Sequence, residues 1–402
     1  MNNNVPRFGV NYVPSGAWWY AWMDWNGAQI QDDLEQIASL GMDHIRIHCL
    51  WHLFQPNPNR TSEIALIRLY ELLEIADKCN LDVQITVLDG WLSGFSFFPA
   101  WKRPNPEGQG LNLFTDPGMI AAEQFLFSSI AKKIGNHPRF FGFDLGNEVN
   151  VLQVFDDAVT LEEADQWQAA MFEHCNLIAP NKFHVNGVDH RPWFSNTGFS
   201  RNALGTKGRA TAIHMWIEFT GALERYGPNG IGSLHLAEYG IELAKAHHLE
   251  IDRMVWLQEF GASKQWMPVD AIPDFTETTI RNALTCSQLW GVTWWCSHDF
   301  DADLVGFNPL EYDLGLFDTQ NRIKPVGERM SQLIQEFRAA PVSPVTRTTA
   351  LVVPEGALEN SASAWRFATR YFDLIADGVR PALLLHDRRD QQVSREITTI
   401  IE

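Results

Sequence analysis

No stretch of the 402-residue chain approaches the roughly 18 consecutive apolar residues of a membrane-spanning helix. Basic residues are scarce as well: 31 Lys and Arg stand against 49 Asp and Glu, a formal net charge of −18. That excess repels phosphate backbones and anionic lipid alike, so neither nucleic acid nor a membrane is an expected partner, and a neutral ligand is. Cysteine is sparse. Cys49, Cys79, Cys175, Cys286 and Cys296 are odd in number, widely spread and set in apolar segments. No CxxC or His–Cys spacing suggests a metal, so buried free thiols in a reducing compartment are expected. The first residues, Met-Asn-Asn-Asn-Val-Pro-Arg, lack the basic start and apolar run of an export signal, which agrees with a cytoplasmic location.

What the chain has in plenty is tryptophan, with 16 residues. Trp18, Trp19, Trp22 and Trp25 fall in one short stretch, and Trp51, Trp91 and Trp101 also occupy loop-like places. Indole faces stack well on the apolar faces of sugars, and loops on a rigid scaffold commonly carry binding groups. Gap-filling between long loops is the alternative for any one of them.

Short β-rich runs recur along the chain, at 8–12, 44–49, 82–88, 140–147, 182–188, 210–216, 253–259 and 291–297. Between them lie stretches with helical spacing. Ile30, Leu34, Ile37 and Ala38 form one apolar stripe, and a second helix runs from about Glu63 to Cys79. Further helices are expected at 118–134, 161–178, 231–247, 274–289 and 325–338, with Gly41 and Gly135 at helix C-caps. The fifth unit is the weak one, since 189–209 carries loop signals and little helix. Eight alternating β and α units predict a (β/α)₈ TIM barrel over residues 1–340, with the chemistry at the carboxyl ends of its strands. Residues 341–402 open with Pro341 and Pro344, then offer a strand at 350–353, a helix near 361–376 and a strand at 381–385. This small C-terminal α/β extension is too short to hold a core alone and is expected to pack on the barrel.

Two carboxylates close apolar strands. Glu148 ends the fourth in Asp-Leu-Gly-Asn-Glu-Val-Asn, and Glu259 ends the seventh in Trp-Leu-Gln-Glu-Phe-Gly. A charge in that position is costly unless it is paired or used. A barrel brings both to one mouth, and two carboxyl groups about 5–5.5 Å apart are what retaining glycoside hydrolysis requires: one hands a proton to the leaving oxygen, the other attacks the anomeric carbon. The bland reading is that each forms a salt bridge in a loop. No cluster of His and Asp at strand ends suggests a metal-dependent hydrolase.

This order of residues resembles glycoside hydrolase clan A, and within it family 5, over roughly residues 8–338. The resemblance implies Glu148 as acid/base and Glu259 as nucleophile. It implies Arg46 as support for the nucleophile, Asn147 as a ligand of the sugar 2-hydroxyl, His214 as the family's histidine, and Trp295 as the aromatic floor under the reacting sugar. Trp216 stands where the family usually has a tyrosine, and an indole donates a hydrogen bond but accepts none. His48 is read either as a core histidine or as a sugar contact, and Asp89, His298 and Asp299 as loop caps or, alternatively, as ligands of sugar hydroxyls. No cofactor and no metal are implied. The whole chain resembles bacterial family 5 β-mannosidases acting on short mannosides, including mannose β-1,4-linked to N-acetylglucosamine. The expectation is therefore a retaining, exo-acting β-mannosidase on a small oligosaccharide, with loops 13–29, 89–117 and 298–319 walling the mouth. An endo-β-1,4-mannanase or β-glucanase is one alternative, and a catalytically silent sugar-binding barrel another.

Overall fold

The computed structural model describes residues 5–103, 110–155 and 158–402. Seven parallel strands form one curled sheet. In spatial order they are Phe140–Asp144, Asp82–Asp89, His44–Leu50, Arg7–Asn11, Leu289–Trp294, Val255–Phe260 and Thr211–His214. Helices connect them on the outside, among them Gly27–Ser39, Glu63–Lys78, Pro117–Ile134, Leu161–Ile178, Ile272–Leu284 and Pro325–Ala339. Their starts follow local chemistry. Asn26, Ser62 and Asp116 each accept a backbone N–H of the first turn, and Thr160 forms a reciprocal capping box with Glu163.

The eighth strand position differs from the sequence expectation. Segment 182–188 lies beside Phe140–Asp144 yet contributes a single ladder bridge, Val185 to Asp144. Phe183 N and Val185 N donate to Phe141 O and Phe143 O, and Leu145 N returns to Val185 O. The ladder then stops because its next donor is diverted: Gly187 N donates to the Asp144 side chain at 2.8 Å. A glycine is required there, since a Cβ would lie 2.5 Å from Gln258 Oε1. The fifth unit closes with two short helices, Arg191–Phe194 and Arg201–Thr206. The helix expected over 231–247 is broken at His235 into Ile231–Leu234 and Leu236–Ala246.

The barrel interior is layered. Its amino end is plugged by Phe141, Phe183, Trp256 and Trp290, with the Arg7 guanidinium over Phe141 and Trp290. Above the plug lies a polar layer of Asn11, Arg46, Asp144 and Gln258, all fully buried. The mouth lies above that.

The tryptophan-rich stretch is structural. Trp18, Trp19 and Trp22 are buried, and Trp22 stacks between Trp19 and Trp25. Trp18 packs on Phe97, Phe300 and Phe307, so loop 13–29 braces the other two loops from behind. Trp51 and Trp101 both serve Gln55, through its side chain and its carbonyl. Residues 104–109 of the second loop lie outside the described residues.

Beyond the barrel helices, strands Thr349–Val353, Ala382–Leu385 and Thr399–Ile401 form a parallel sheet, with the first of them in the centre, and helix Ser361–Ala376 follows the first strand. This unit rests on helix Leu236–Ala246, which is buried on every side. Trp365 Nε1 donates to Thr220 O at 2.8 Å, and Thr220 Oγ1 donates to Trp216 O at 2.7 Å, tying the unit to a loop at the barrel mouth. All five cysteines are unpaired. Among the described residues, no helix is long and apolar enough to cross a membrane.

Candidate active site

A cavity of about 410 Å³ opens at the carboxyl ends of the strands, within the usual range for small-molecule sites. Asn147, Glu148, Trp216, Glu259 and Trp295 line it. Its walls come from the turn at Trp91 to Gly94, from Asp189 to Arg191, from Phe219, and from Asn308, Leu310 and Glu311. Loops 89–117 and 298–319 thus reach the cavity as expected, whereas loop 13–29 contributes none of these lining residues.

Arg46 organises the floor. It is fully buried and donates from Nη1 to Glu259 Oε1 at 2.6 Å and to Asn11 Oδ1 at 2.9 Å. Its Nε and Nη2 both lie 2.9 Å from Asp144 Oδ2, and Nη2 also donates to Asn147 Oδ1 at 3.0 Å. One fixed cation therefore serves two carboxylates and orients the amide beside Glu148. Asn147 is held from both ends as well: its backbone N–H donates to Asp89 Oδ1, and its Nδ2 donates to Trp91 O. Asp89 in turn lies 3.3 Å from His48 Nδ1, and the His48 ring meets the Trp295 ring edge-on at 5.4 Å. His48 is a buried support of Trp295. Asp299 and His298 cap loops, through Gly315 N and Val13 O.

Glu148 follows Asn147 in the left-handed region, at φ 45°. A non-glycine residue there costs on the order of 1–3 kcal/mol, a strain tolerated where surrounding contacts fix the chain. Its side chain, 17% exposed, points into the cavity, and Oε1 lies 2.9 Å from His214 Nδ1. The same Nδ1 is 3.4 Å from Glu259 Oε2. The other ring nitrogen settles the proton count. Gln258 Nε2 donates to Asp144 Oδ2 at 3.1 Å, so its Oε1, 3.0 Å from His214 Nε2, accepts a proton from that nitrogen. Any proton at Nδ1 then makes His214 an imidazolium between two carboxyl groups. Burial opposes charge on His214, but Glu259 and the hydrogen bond to Glu148 outweigh it and raise its pKa. Burial is also the largest influence on Glu148 and raises its pKa; His214 opposes the shift and the charge of Glu259 adds to it.

Glu148, His214 and Glu259 form the one group among the described residues whose possible metal-ligand atoms all lie within 4.8 Å of one another. The donor set suits proton transfer better than metal binding. Arg46 already places a positive charge on Glu259, and His214 Nε2 is committed to Gln258. A carboxylate oxygen from each glutamate within 4.8 Å is compatible with the roughly 5–5.5 Å separation of a double-displacement pair.

Trp216 sits in the wall, edge-on to Trp266, with its indole against Gly261 just past Glu259. Among the described residues its indole makes no hydrogen bond to Glu259; Arg46 and His214 are the donors that face that carboxylate. Sequence reasoning missed Asp144, Gln258 and Glu311. Asp144 was visible as a lone charge in an apolar strand, while Gln258 and Glu311 carried no comparable signal.

No protein-family model and no curated protein sequence matches the chain, but solved structures do. A Streptomyces cattleya GH5_18 protein, solved as a Glu-to-Ala variant in complex with Manβ1-4GlcNAc, is 36% identical over 98% of this chain and 98% of its own, with TM-score 0.94. The chain belongs to glycoside hydrolase family 5, in the GH5_18 group. A Bifidobacterium longum GH5_18 protein, also a Glu-to-Ala variant in complex with Manβ1-4GlcNAc, is 32% identical over 98% of this chain and 95% of its own, with TM-score 0.91. An exo-β-1,4-mannosidase from an Opitutaceae bacterium shares the fold at 24% identity, over 95% of this chain and 70% of its own, with TM-score 0.80.

Proposed function

We propose that this GH5_18 glycoside hydrolase is a retaining, exo-acting β-mannosidase that cleaves mannose from β-1,4-linked N-acetylglucosamine. The observation that carries the reading is the close pair Glu148 and Glu259 in a small cavity, within a chain 36% identical to a protein solved with that disaccharide. Glu259 Oε2 attacks the anomeric carbon, and the C–O bond to the leaving sugar breaks as Glu148 protonates its oxygen. Glu148, now ionised, takes a proton from water, which attacks the anomeric carbon and frees Glu259; the sugar keeps its β configuration. Arg46 holds Glu259 through Oε1, which leaves Oε2 for the attack. Asn147 binds the sugar 2-hydroxyl, Trp295 is the floor, His214 orients Glu148, and Trp216 walls the site. No metal or cofactor takes part, and the five free thiols suit the cytoplasm.

Incubation with Manβ1-4GlcNAc followed by NMR should show β-mannose appearing first. Release of mixed oligomers from mannan with no action on the disaccharide would instead identify an endo enzyme. The variant Glu148→Ala is expected to lose about 10²–10⁴-fold in kcat/KM on the disaccharide, whose leaving group needs a proton. It should lose far less in kcat/KM on a nitrophenyl β-mannoside, whose leaving group does not, while kcat still falls because Glu148 also activates the attacking water. Because Glu148 must hold a proton and its pKa is raised by burial, kcat/KM should fall on the alkaline side at a pH above the ordinary carboxyl range. An alkaline limb at about 4–4.5, the unperturbed value, would contradict the assignment.

A further inference from the structure

The cavity holds a third carboxyl group that the double displacement does not use. Glu311 belongs to the short turn Pro309–Asp313 in the loop after the last barrel strand, and is 9% exposed. Its Oε2 accepts from Ser93 Oγ at 3.2 Å, and the Trp295 side chain lies near enough to favour its charged form. It therefore joins the hairpin wall to the rim of the aromatic floor. No salt bridge pairs it with a cation among the described residues. Burial pushes its pKa up to about 7; the Ser93 bond works against the shift, and Glu259 adds to it more than Glu148 does. Ser93 stands two residues beyond Trp91, whose carbonyl accepts from Asn147 Nδ2 at 3.1 Å, so Glu311 lies along the wall that begins at the ligand of the 2-hydroxyl and runs away from C1.

A carboxylate has about four acceptor positions, and among the described residues Ser93 fills one of them. Glu311 lines the cavity, where a buried acceptor left empty is costly. A pyranose lying on an indole presents its apolar face to the ring and projects its equatorial hydroxyls sideways, toward the rim. With C1 at Glu259 and the leaving oxygen at Glu148, the hydroxyls at the opposite edge of that ring are those on C3 and C4.

We propose that Glu311 is a specificity-determining residue which accepts hydrogen bonds from the 3- and 4-hydroxyls of the terminal sugar. The inference rests on the exo-mannosidase reading and supplies a physical basis for it. A buried carboxyl that requires a free 4-hydroxyl leaves no room for a further β-1,4-linked sugar, so the pocket ends at one residue.

The test compares wild type, Glu311→Gln and Glu311→Ala on 4-nitrophenyl β-mannoside and on its 3-deoxy and 4-deoxy analogues. In wild type, removing a hydroxyl that bonds to a charged group should lower kcat/KM about 10- to 100-fold. Glu311→Ala should show a similar loss on the parent mannoside and little further loss on at least one deoxy analogue. Glu311→Gln keeps the shape and one acceptor, so it should fall between the two and control for misfolding. Equal sensitivity of all three proteins to both deoxy substitutions would overturn the proposal while leaving the mannosidase reading intact. A wild type inactive on the parent mannoside and on Manβ1-4GlcNAc would instead remove that reading, and this inference with it.

Discussion

Glu259→Ala should lose on the order of 10⁵-fold or more in kcat on 4-nitrophenyl β-mannoside, the largest effect of any single change at the site. On the proposed mechanism the substitution deletes the atom that forms the covalent intermediate, and a good leaving group cannot compensate for that. This separates it from Glu148→Ala, where the same aryl substrate bypasses most of the loss in kcat/KM. The fold should survive. Arg46 keeps both contacts to Asp144 and its bonds to Asn11 and Asn147, so no buried charge is stranded. A thermal melt near that of wild type, with activity gone, is the expected combination. Near-full activity in Glu259→Ala would dismiss the double-displacement assignment, whatever became of Glu148.

How far the site could be read from the sequence follows from how each residue is positioned. Glu148, Glu259, Arg46 and His214 were legible because strand alternation and strand ends place them in a barrel whatever the loops do. Gln258 was not. Strict alternation sets it on the opposite face from Glu259, but the pairing of Thr211–His214 with Val255–Phe260 slips between Ile213 and His214. That irregularity turns both Gln258 and Glu259 toward His214. The missing regularity of segment 182–188 has a similar origin, because a side-chain acceptor on Asp144 competes for the Gly187 donor that the ladder would use. Composition misled in one place. Four tryptophans near residue 20 look like sugar platforms, yet indole area buries equally well against other rings, and here it does. Glu311 lies in a loop without periodicity, where only the folded chain brings it to Ser93 and the cavity wall.

The second large effect concerns stability. Arg347, just beyond the barrel helices, is 4% exposed and reaches Glu238 at 2.6 Å and Glu242 at 3.3 Å, both wholly buried. It also donates to Pro381 O and Thr285 Oγ1, so one side chain fastens the C-terminal sheet to helix Leu236–Ala246. Arg347→Ala should destabilise the protein by about 3–5 kcal/mol, the usual cost of leaving buried carboxylates short of a partner. Arg380 and Lys245 still face Glu238 and Glu242, which keeps the loss toward the lower end. The effect should depend on pH with a definite sign. Burial alone would raise both carboxyl groups, but the His235 and Arg347 contacts at Glu238, and Lys245 and Arg347 at Glu242, hold them below their ordinary range. Their contribution is complete above the unfolded carboxyl value of about 4.3 and is lost as pH falls through the depressed folded values. Melting wild type and Arg347→Ala side by side should show a wide gap at pH 7 that narrows in acid. Below the melting transition the variant should keep near-normal kcat, since Arg347 touches no residue of the cavity wall. A gap unchanged between pH 7 and pH 3 would mean that packing of the arginine stem, rather than its charge, holds the extension in place.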